Sequence, residues 1–390
     1  MNIGTKAIVF TDLHFGIHSN SQPYINVCKE TMSWIKDIVS CRGIKDVIFM
    51  GDFFDSRASI DVKTLNQATE SLYDLADSVN NIVMILGNHD IYLRDSTSIH
   101  SLFAFTGHNS ITVIDKPTFV NDIALLPWNF GCTNGETIDV KPNMKYVFCH
   151  HNFPSDFFMF GNKKKKIKSD TYSEGNKYEC EFGIQNNIVE TVIKNNGIIF
   201  SGHIHKRTEI PLTNNKNTKI IIEGSPYETS WGWEFDETEC GVYIIDFLNC
   251  EYEFISNPFN KKHVELHTSR FDKDLTYCNI ENAIVRLVVD THESFDAVSR
   301  MQSIIKQRNP FIIESTKYEF ADSDFSIKNS NEDVKKTSNT DGYTSIDYIN
   351  NAIDNTDFSR FSYFDGIKQI QVDKCNLKSI AIKLYEGISL

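Results

Sequence analysis

Short apolar runs alternate with longer segments of helical spacing from Lys6 to about Phe254, the pattern of a layered α/β domain. Runs of strand length are Ala7–Phe10, Asp46–Met50, Ile82–Leu86, Tyr146–Cys149, Gly197–Ser201, Lys219–Ile222 and Gly241–Phe247. Between the first two, Tyr24–Ser40 sets Val27, Met32, Ile35, Ile38 and Val39 at helical intervals, and Thr64–Val79 reads similarly. The first five runs each pass straight into Asp, Asn or His, and the carboxyl edge of an open α/β sheet is where ligands bind. Past about Phe259 the pattern restarts, with Ala283–Val289 as a strand, Ser294–Gln307 as a helix and Pro310–Phe320 as a strand. Ala321–Asp341, rich in Ser, Asn, Asp and Lys, cannot bury enough apolar surface to order itself and reads as a linker. Thr344–Ile353 and Asn376–Tyr385 then read as short amphipathic helices. The expected organisation is a main domain over 1–258, a small α/β module over 259–320, a polar linker over 321–342 and a helical tail over 343–390.

Composition narrows the setting. With 390 residues, 41% of them hydrophobic, the chain can fill more than one core, yet no apolar run approaches the roughly 20 residues of a bilayer-spanning helix. Lys6–Phe10 follows Met1 almost directly, without the charged and apolar regions of a leader, so no secretion is expected. Nine cysteines with no Cys-x-x-Cys pair suit reduced core residues better than a disulfide framework, and both features point to the cytoplasm. A net charge of −13 removes the argument for nucleic-acid binding through the overall field, since proteins that bind that way are usually basic. Any phosphate chemistry must rest on local charge, which bound cations can supply.

Five short pieces stand at the ends of strand-like runs: Asp12-Leu13-His14, Gly51-Asp52-Phe53-Phe54-Asp55, Gly87-Asn88-His89-Asp90, His150-His151 and Gly202-His203-Ile204-His205. Any one of them alone is an ordinary turn. Five in order at strand ends, with this choice of residues, are not what independent turn chemistry produces. Carboxylate, amide and imidazole together suit manganese, iron or zinc, whereas magnesium alone rarely recruits four histidines. The ligand count exceeds the need of one ion, so two ions sharing one carboxylate are expected, with Asp52 as the bridge. The i, i+2 spacing in Asp12-Leu13-His14 lets two side chains converge on one ion, and the same spacing in His203-Ile204-His205 can send one imidazole to each. His89, beside the neutral ligand Asn88, is placed to protonate a leaving oxygen near neutral pH.

These five blocks resemble the signature blocks of the calcineurin-like metallophosphoesterases, whose fold is a layered β-sandwich flanked by helices. Within that superfamily the chain resembles the SbcD and Mre-eleven nucleases, especially the recombination endonuclease subunits of T-even-like phages. Asp12-Leu13-His14-Phe15-Gly16, Gly202-His203-Ile204-His205-Lys206 and Glu223-Gly224-Ser225-Pro226-Tyr227 followed by Gly241-Val242-Tyr243 carry that likeness over about residues 5 to 250. The resemblance implies one ion held by Asp12, His14, Asp52 and His205 and a second by Asp52, Asn88, His150 and His203, manganese being the first choice. It implies His89 as the catalytic histidine and in-line attack of water on a DNA phosphodiester. Asp55 stands where eukaryotic and archaeal members show His and bacterial and phage members commonly show Asp; its expected task is to orient His89 or a ligand. Of the adjacent pair, His150 rather than His151 is the expected ligand. The family also implies a homodimer, a C-terminal module that caps the nuclease face, and docking on an SbcC or Rad-fifty-like ATPase during recombination, repair or replication, in the host cytoplasm for a phage protein. The blocks specify metal chemistry on a phosphate ester rather than the ester, which leaves a phosphomonoesterase or small-molecule phosphodiesterase as the alternative. A non-catalytic scaffold would show missing ligands, and none is missing.

One basic run, Lys163, Lys164, Lys165, Lys166 and Lys168, interrupts the acidic chain and is a candidate DNA-phosphate contact; a solvated loop accounts for it equally well. Phe153, Phe157, Phe158 and Phe160 precede it and either support that loop or pack in a core. Trp231 and Trp233 are expected to pack at or near the site rim. Ile346, Ile349 and Ile353 give Thr344–Ile353 an apolar face for a partner groove or for folding back on this chain.

Overall fold

The computed structural model describes residues 3–93, 96–130, 138–151, 184–213, 218–231, 239–290, 293–314, 316–318, 362–365 and 368–371. It divides into two compact units, Met1–Asp322 and Ser323–Leu390.

Two six-stranded sheets make the body of the first unit. One runs, in spatial order, Glu251–Ser256, Gly241–Asp246, Lys6–Phe10, Asp46–Phe49, Asn81–Ile85 and Ile111–Ile114, the last four parallel. The other runs Thr208–Pro211, Lys219–Ile222, Ile198–Ser201, Tyr146–Cys149, Ile123–Leu126 and Thr118–Val120, with its four middle strands parallel. Side chains alternate across each strand. Ala7, Val9, Ile48, Val83 and Ile85 therefore meet Phe148, Phe200 and Ile221 in a core that both sheets share. Their neighbours Ile8, Phe10, Val47, Phe49 and Ile82 face outward under helix Gln22–Arg42 and helix Val62–Ala76, where Ile25, Met32, Ile35, Val39, Leu72 and Leu75 cover them. Ile188 and Val192 of helix Asn186–Lys194 cover the outer face of the second sheet. The result is the expected sandwich of sheets flanked by helices.

Strands Ile284–Val289, His263–His267, Ile312–Ile313 and Lys317–Tyr318 form a small parallel sheet with its own core, on which Val298 and Ile305 of helix Phe295–Lys306 pack. Here the single strand expected over Pro310–Phe320 is broken into two. The break begins at Glu314, whose carboxylate accepts from the Tyr24 hydroxyl at 2.7 Å and from Arg286 at 3.0 Å.

In the second unit the described residues form a hairpin, Ser362–Asp365 with Lys368–Gln371, in a tail whose pattern gave only helices. The predicted linker, Thr344–Ile353 and Asn376–Tyr385 lie outside the described residues. Among the described residues no helix is long and apolar enough to cross a membrane.

Candidate metal centre

The parallel strands bring all five polar pieces to one edge of the sandwich. Each turn there is tight, and the backbone pays for it: Asp12, His14, Asp52 and His203 all adopt positive φ, at 53°, 49°, 59° and 78°. Left-handed backbone at a non-glycine residue is costly and concentrates where function over-determines the structure. Gly51 and Gly87 let two of these turns touch, since a Cβ on Gly51 would lie 2.7 Å from Gly87 Cα and one on Gly87 would lie 2.2 Å from Asp52 Oδ1.

Two groups of donor atoms converge on either side of Asp52. In one, His14 Nε2 and His205 Nε2 stand 3.0 Å apart, and each is 3.6 Å from Asp12 Oδ1. In the other, Asn88 Oδ1 lies 3.1 Å from His150 Nε2 and 2.8 Å from His203 Nδ1. Asp52 Oδ2 reaches both, at 3.8 Å from His14 Nε2 and 3.2 Å from His150 Nε2. Asp12 Oδ1 is buried without any hydrogen-bond donor. Lone pairs gathered this closely around a buried acceptor fit divalent cations, and the mix of oxygen and imidazole nitrogen matches borderline ions.

The outer nitrogens of three of these rings lie against a neighbour, which orients the faces they present to the cluster. His150 Nδ1 pairs with the Met50 carbonyl at 2.6 Å, His205 Nδ1 with Thr229 Oγ1 at 2.8 Å, and His14 Nδ1 lies 3.4 Å from Asp55 Oδ1. His89 donates its backbone N–H to Asp52 Oδ1 at 2.8 Å, while its ring Nδ1 pairs with the Asp55 carbonyl oxygen. Asp55 thus serves two histidines, His14 through its carboxylate and His89 through its backbone. His151 points elsewhere, its ring bonded to the Phe130 carbonyl, and burial pushes it down to about 4.

Charge in the metal-free cluster is unevenly spread. Burial opposes the ionised form of Asp12 and Asp52, but His150 and the neighbouring imidazoles outweigh it and hold both carboxyls below the usual range. Burial likewise pushes His14 and His150 down, yet the hydrogen bonds that His14 donates to Asp12 and Asp55 raise it to about 10, and Asp52 with Asp12 raises His150 to about 9. Burial and the charge of His150 lower His203 to about 4. Both shifts favour protonated His14 and His150 in the metal-free cluster, and a cation bound through these rings would displace those protons. Manganese affinity should accordingly rise with pH, by about tenfold per pH unit for each proton released, with two protons displaced up to about 9 and one up to about 10. Calorimetric titration in buffers of different ionisation enthalpy would count those protons, and a pH-independent affinity would contradict this charge distribution.

Residues that sequence reasoning did not assign complete the site. Asp90, buried beneath the loops, accepts from Gly87 N at 2.9 Å, Asp52 N at 2.8 Å and Phe53 N at 3.1 Å, and so ties the Asp52 and Asn88 loops together. Burial and the Asp52 charge hold its carboxyl above the ordinary range. Asp90→Ala would leave three N–H groups without their acceptor, an expected loss of roughly 3 kcal/mol or more in urea unfolding. Trp128 walls the second donor group, its ring 4.9 Å from His203 and 6.0 Å from His150. The block containing Asp90 was in view; nothing in the sequence singles out Trp128 or Thr229. Trp231 packs away from the ligands, against His263 and under the Arg286 guanidinium 3.8 Å above its ring. Trp233, the lysine run and the four phenylalanines before it lie outside the described residues.

Residues 5–207 match the calcineurin-like phosphoesterase family, and the chain belongs to it. It is a hydrolase of phosphoesters that uses divalent metal. The chain is also similar to exonuclease subunit 1 of Enterobacteria phage T4, 25% identical over 294 residues that cover 73% of this chain and 76% of that protein.

Proposed function

We propose that the chain is the nuclease subunit of a DNA-processing complex and hydrolyses DNA phosphodiesters with two divalent ions, manganese foremost. The observation that carries this reading is the position of Asp52 Oδ2 between two donor groups, with His89 beside them and outside both sets of paired donor atoms. Asp12, His14, Asp52 and His205 would hold one ion, and Asp52, Asn88, His150 and His203 the other. When bound, the pair supplies Lewis-acid activation of the phosphoryl group and of water. With its Nδ1–H donated to the Asp55 carbonyl, His89 in its imidazolium form would present Nε2–H to the leaving oxygen and give up that proton, returning to the neutral Nδ1–H tautomer. Asp55 is a positioning residue for His14 and His89. Lys163, Lys164, Lys165, Lys166 and Lys168 provide local positive charge for DNA phosphates in an otherwise acidic chain.

The likeness to a phage exonuclease subunit supports DNA as the substrate and a subunit's place in a larger assembly. An SbcC or Rad-fifty-like ATPase is the proposed partner, the chain itself forming a homodimer in the host cytoplasm. The small sheet and the tail follow the order of a capping module and a docking segment. Purified protein with manganese, offered end-labelled linear DNA and a generic phosphomonoester in parallel, should degrade the DNA. Hydrolysis of the monoester alone would replace this reading with a phosphatase.

The Asp55 side chain can be tested separately from its carbonyl. Asp55→Ala leaves the backbone oxygen that His89 uses and removes the partner of His14 Nδ1. It should weaken manganese binding by about 10- to 100-fold while activity at saturating metal largely recovers. Unchanged metal affinity would remove the carboxylate from this scheme.

A further inference from the structure

At the opposite ends of the strands from the metal centre, the two sheets meet in a cavity of about 530 Å³ lined by Lys145, Tyr146, Asn196, Ile198, Cys250 and Tyr252, among others. Cys250 lies in the turn between strands Gly241–Asp246 and Glu251–Ser256 of the first sheet, held at φ 58°, and Lys145 immediately precedes strand Tyr146–Cys149 of the second. Lys145 Nζ stands 2.7 Å from Cys250 Sγ. A hydrogen bond from nitrogen to oxygen has its usual length near ~2.9 Å, and sulfur is the larger atom, so this pair is closer than a hydrogen bond to sulfur brings two atoms. It is the separation that one oxygen bonded to both atoms would set. A second observation points into the same cavity: the Tyr146 hydroxyl, on a residue only 2% exposed, makes no hydrogen bond of ordinary geometry and has the same sulfur as its neighbour. Cys250 itself is exposed and free. The Lys145 ammonium, with the Tyr146 hydroxyl adding to it, draws the thiol below its ordinary pKa, which favours the nucleophilic thiolate.

We propose that Lys145 and Cys250 form a reversible covalent N–O–S bridge when the protein meets a peroxide oxidant, a modification site that staples the two sheets together away from the metal centre. The thiolate sulfur attacks one oxygen of hydrogen peroxide, forming an S–O bond, breaking the O–O bond and releasing water after protonation, to give a sulfenic acid. A second peroxide displaces water from that sulfur to give a sulfur-bound hydroperoxide. The neutral Lys145 amine then attacks the oxygen bonded to sulfur: the N–O bond forms, the O–O bond breaks, and the departing hydroxide takes the nitrogen's proton as water. One amine, one thiol and two peroxides thus yield the bridge and three waters. A dithiol reductant reverses the link and restores both side chains.

The bridge closes a loop between residues 145 and 250 that contains His150, His203 and His205, so its formation also stiffens the part of the chain carrying three candidate ligands. The full-length protein treated with hydrogen peroxide should gain about 14 Da, one oxygen added and two hydrogens lost, and dithiothreitol should remove it. Tryptic digestion should yield a linked pair of peptides containing Lys145 and Cys250, with no cleavage after Lys145. Thermal melting of the oxidised protein should rise by on the order of 5 °C, because the link constrains a long loop of the unfolded chain. Lys145→Arg and Cys250→Ser should each abolish both the link and the rise, while Lys145→Arg lets Cys250 proceed to sulfinic acid. Cys41, exposed and free elsewhere on the surface, serves as an internal control that oxidises without a link. A Cys250 that oxidises in the wild type without joining Lys145, or one that stays fully reactive toward thiol reagents after peroxide, would overturn the proposal.

Discussion

Asp52→Asn should empty the metal site and abolish phosphodiester hydrolysis together. The substitution keeps the shape of the side chain and the acceptor that serves the His89 backbone N–H at 2.8 Å. It removes the negative charge that lies within 4 Å of both His14 and His150. Both donor groups depend on that charge, so the expected manganese content falls close to zero. The accompanying loss in rate should be about a thousandfold or more, or roughly 4 kcal/mol of transition-state stabilisation. Elemental analysis of the purified variant beside a DNA-degradation assay checks both halves. Full metal content in an inactive variant would show that the bridge is not at Asp52.

His89→Ala should separate the two properties that Asp52→Asn removes together. The ring bond of His89 goes to the Asp55 carbonyl, and its edge meets the His14 ring at 5.0 Å between centroids. Loss of a positioned general acid typically costs about 10²- to 10⁴-fold in rate, and that range is the expectation here, with manganese content unchanged. The geometry also sets the rival outcome. His89 has a ring nitrogen close enough to His14 and Asp52 to complete a third candidate cluster. If the variant loses metal along with activity, His89 is a ligand and the leaving oxygen takes its proton from another group.

Much of the fold was legible because this site sits where strands end. Asp46–Phe49, Asn81–Ile85, Tyr146–Cys149 and Ile198–Ser201 are buried along their length, apart from half-buried Asn81, and run into Asp, Asn or His, which marks both their limits and their direction. Ile111–Ile114 and Ile123–Leu126 belong to the same parallel sets, but no chemistry follows them, and short apolar runs without punctuation pass unnoticed. Glu251–Ser256 escaped because it is an edge strand with exposed and half-buried positions alternating. The tail hairpin has a signal, the Asp365-Gly366 pair between two short alternating runs, and it falls between Thr344–Ile353 and Asn376–Tyr385 in a stretch to which the sequence pattern assigns no element.

The candidate site was legible in its residue types and not in how they are held. Asp12, His14, Asp52 and His203 take left-handed backbone that residue identity does not announce, since glycine alone advertises positive φ. Choosing His150 over His151 rested on counting from a strand end. In the structure the His150 ring is anchored by the Met50 carbonyl and turned toward Asp52, whereas the His151 ring is taken by Phe130. The roles of Asp90 and Thr229 depend on contacts across loops distant in sequence, from Asp90 to Asp52 and from Thr229 to His205, and no local pattern encodes them.

The most direct test of the metal centre is anomalous diffraction from crystals soaked in manganese. Two peaks are predicted on opposite sides of Asp52 Oδ2, one enclosed by Asp12, His14 and His205 and the other by Asn88, His150 and His203. A single peak, or a pair that does not share Asp52, would contradict the account.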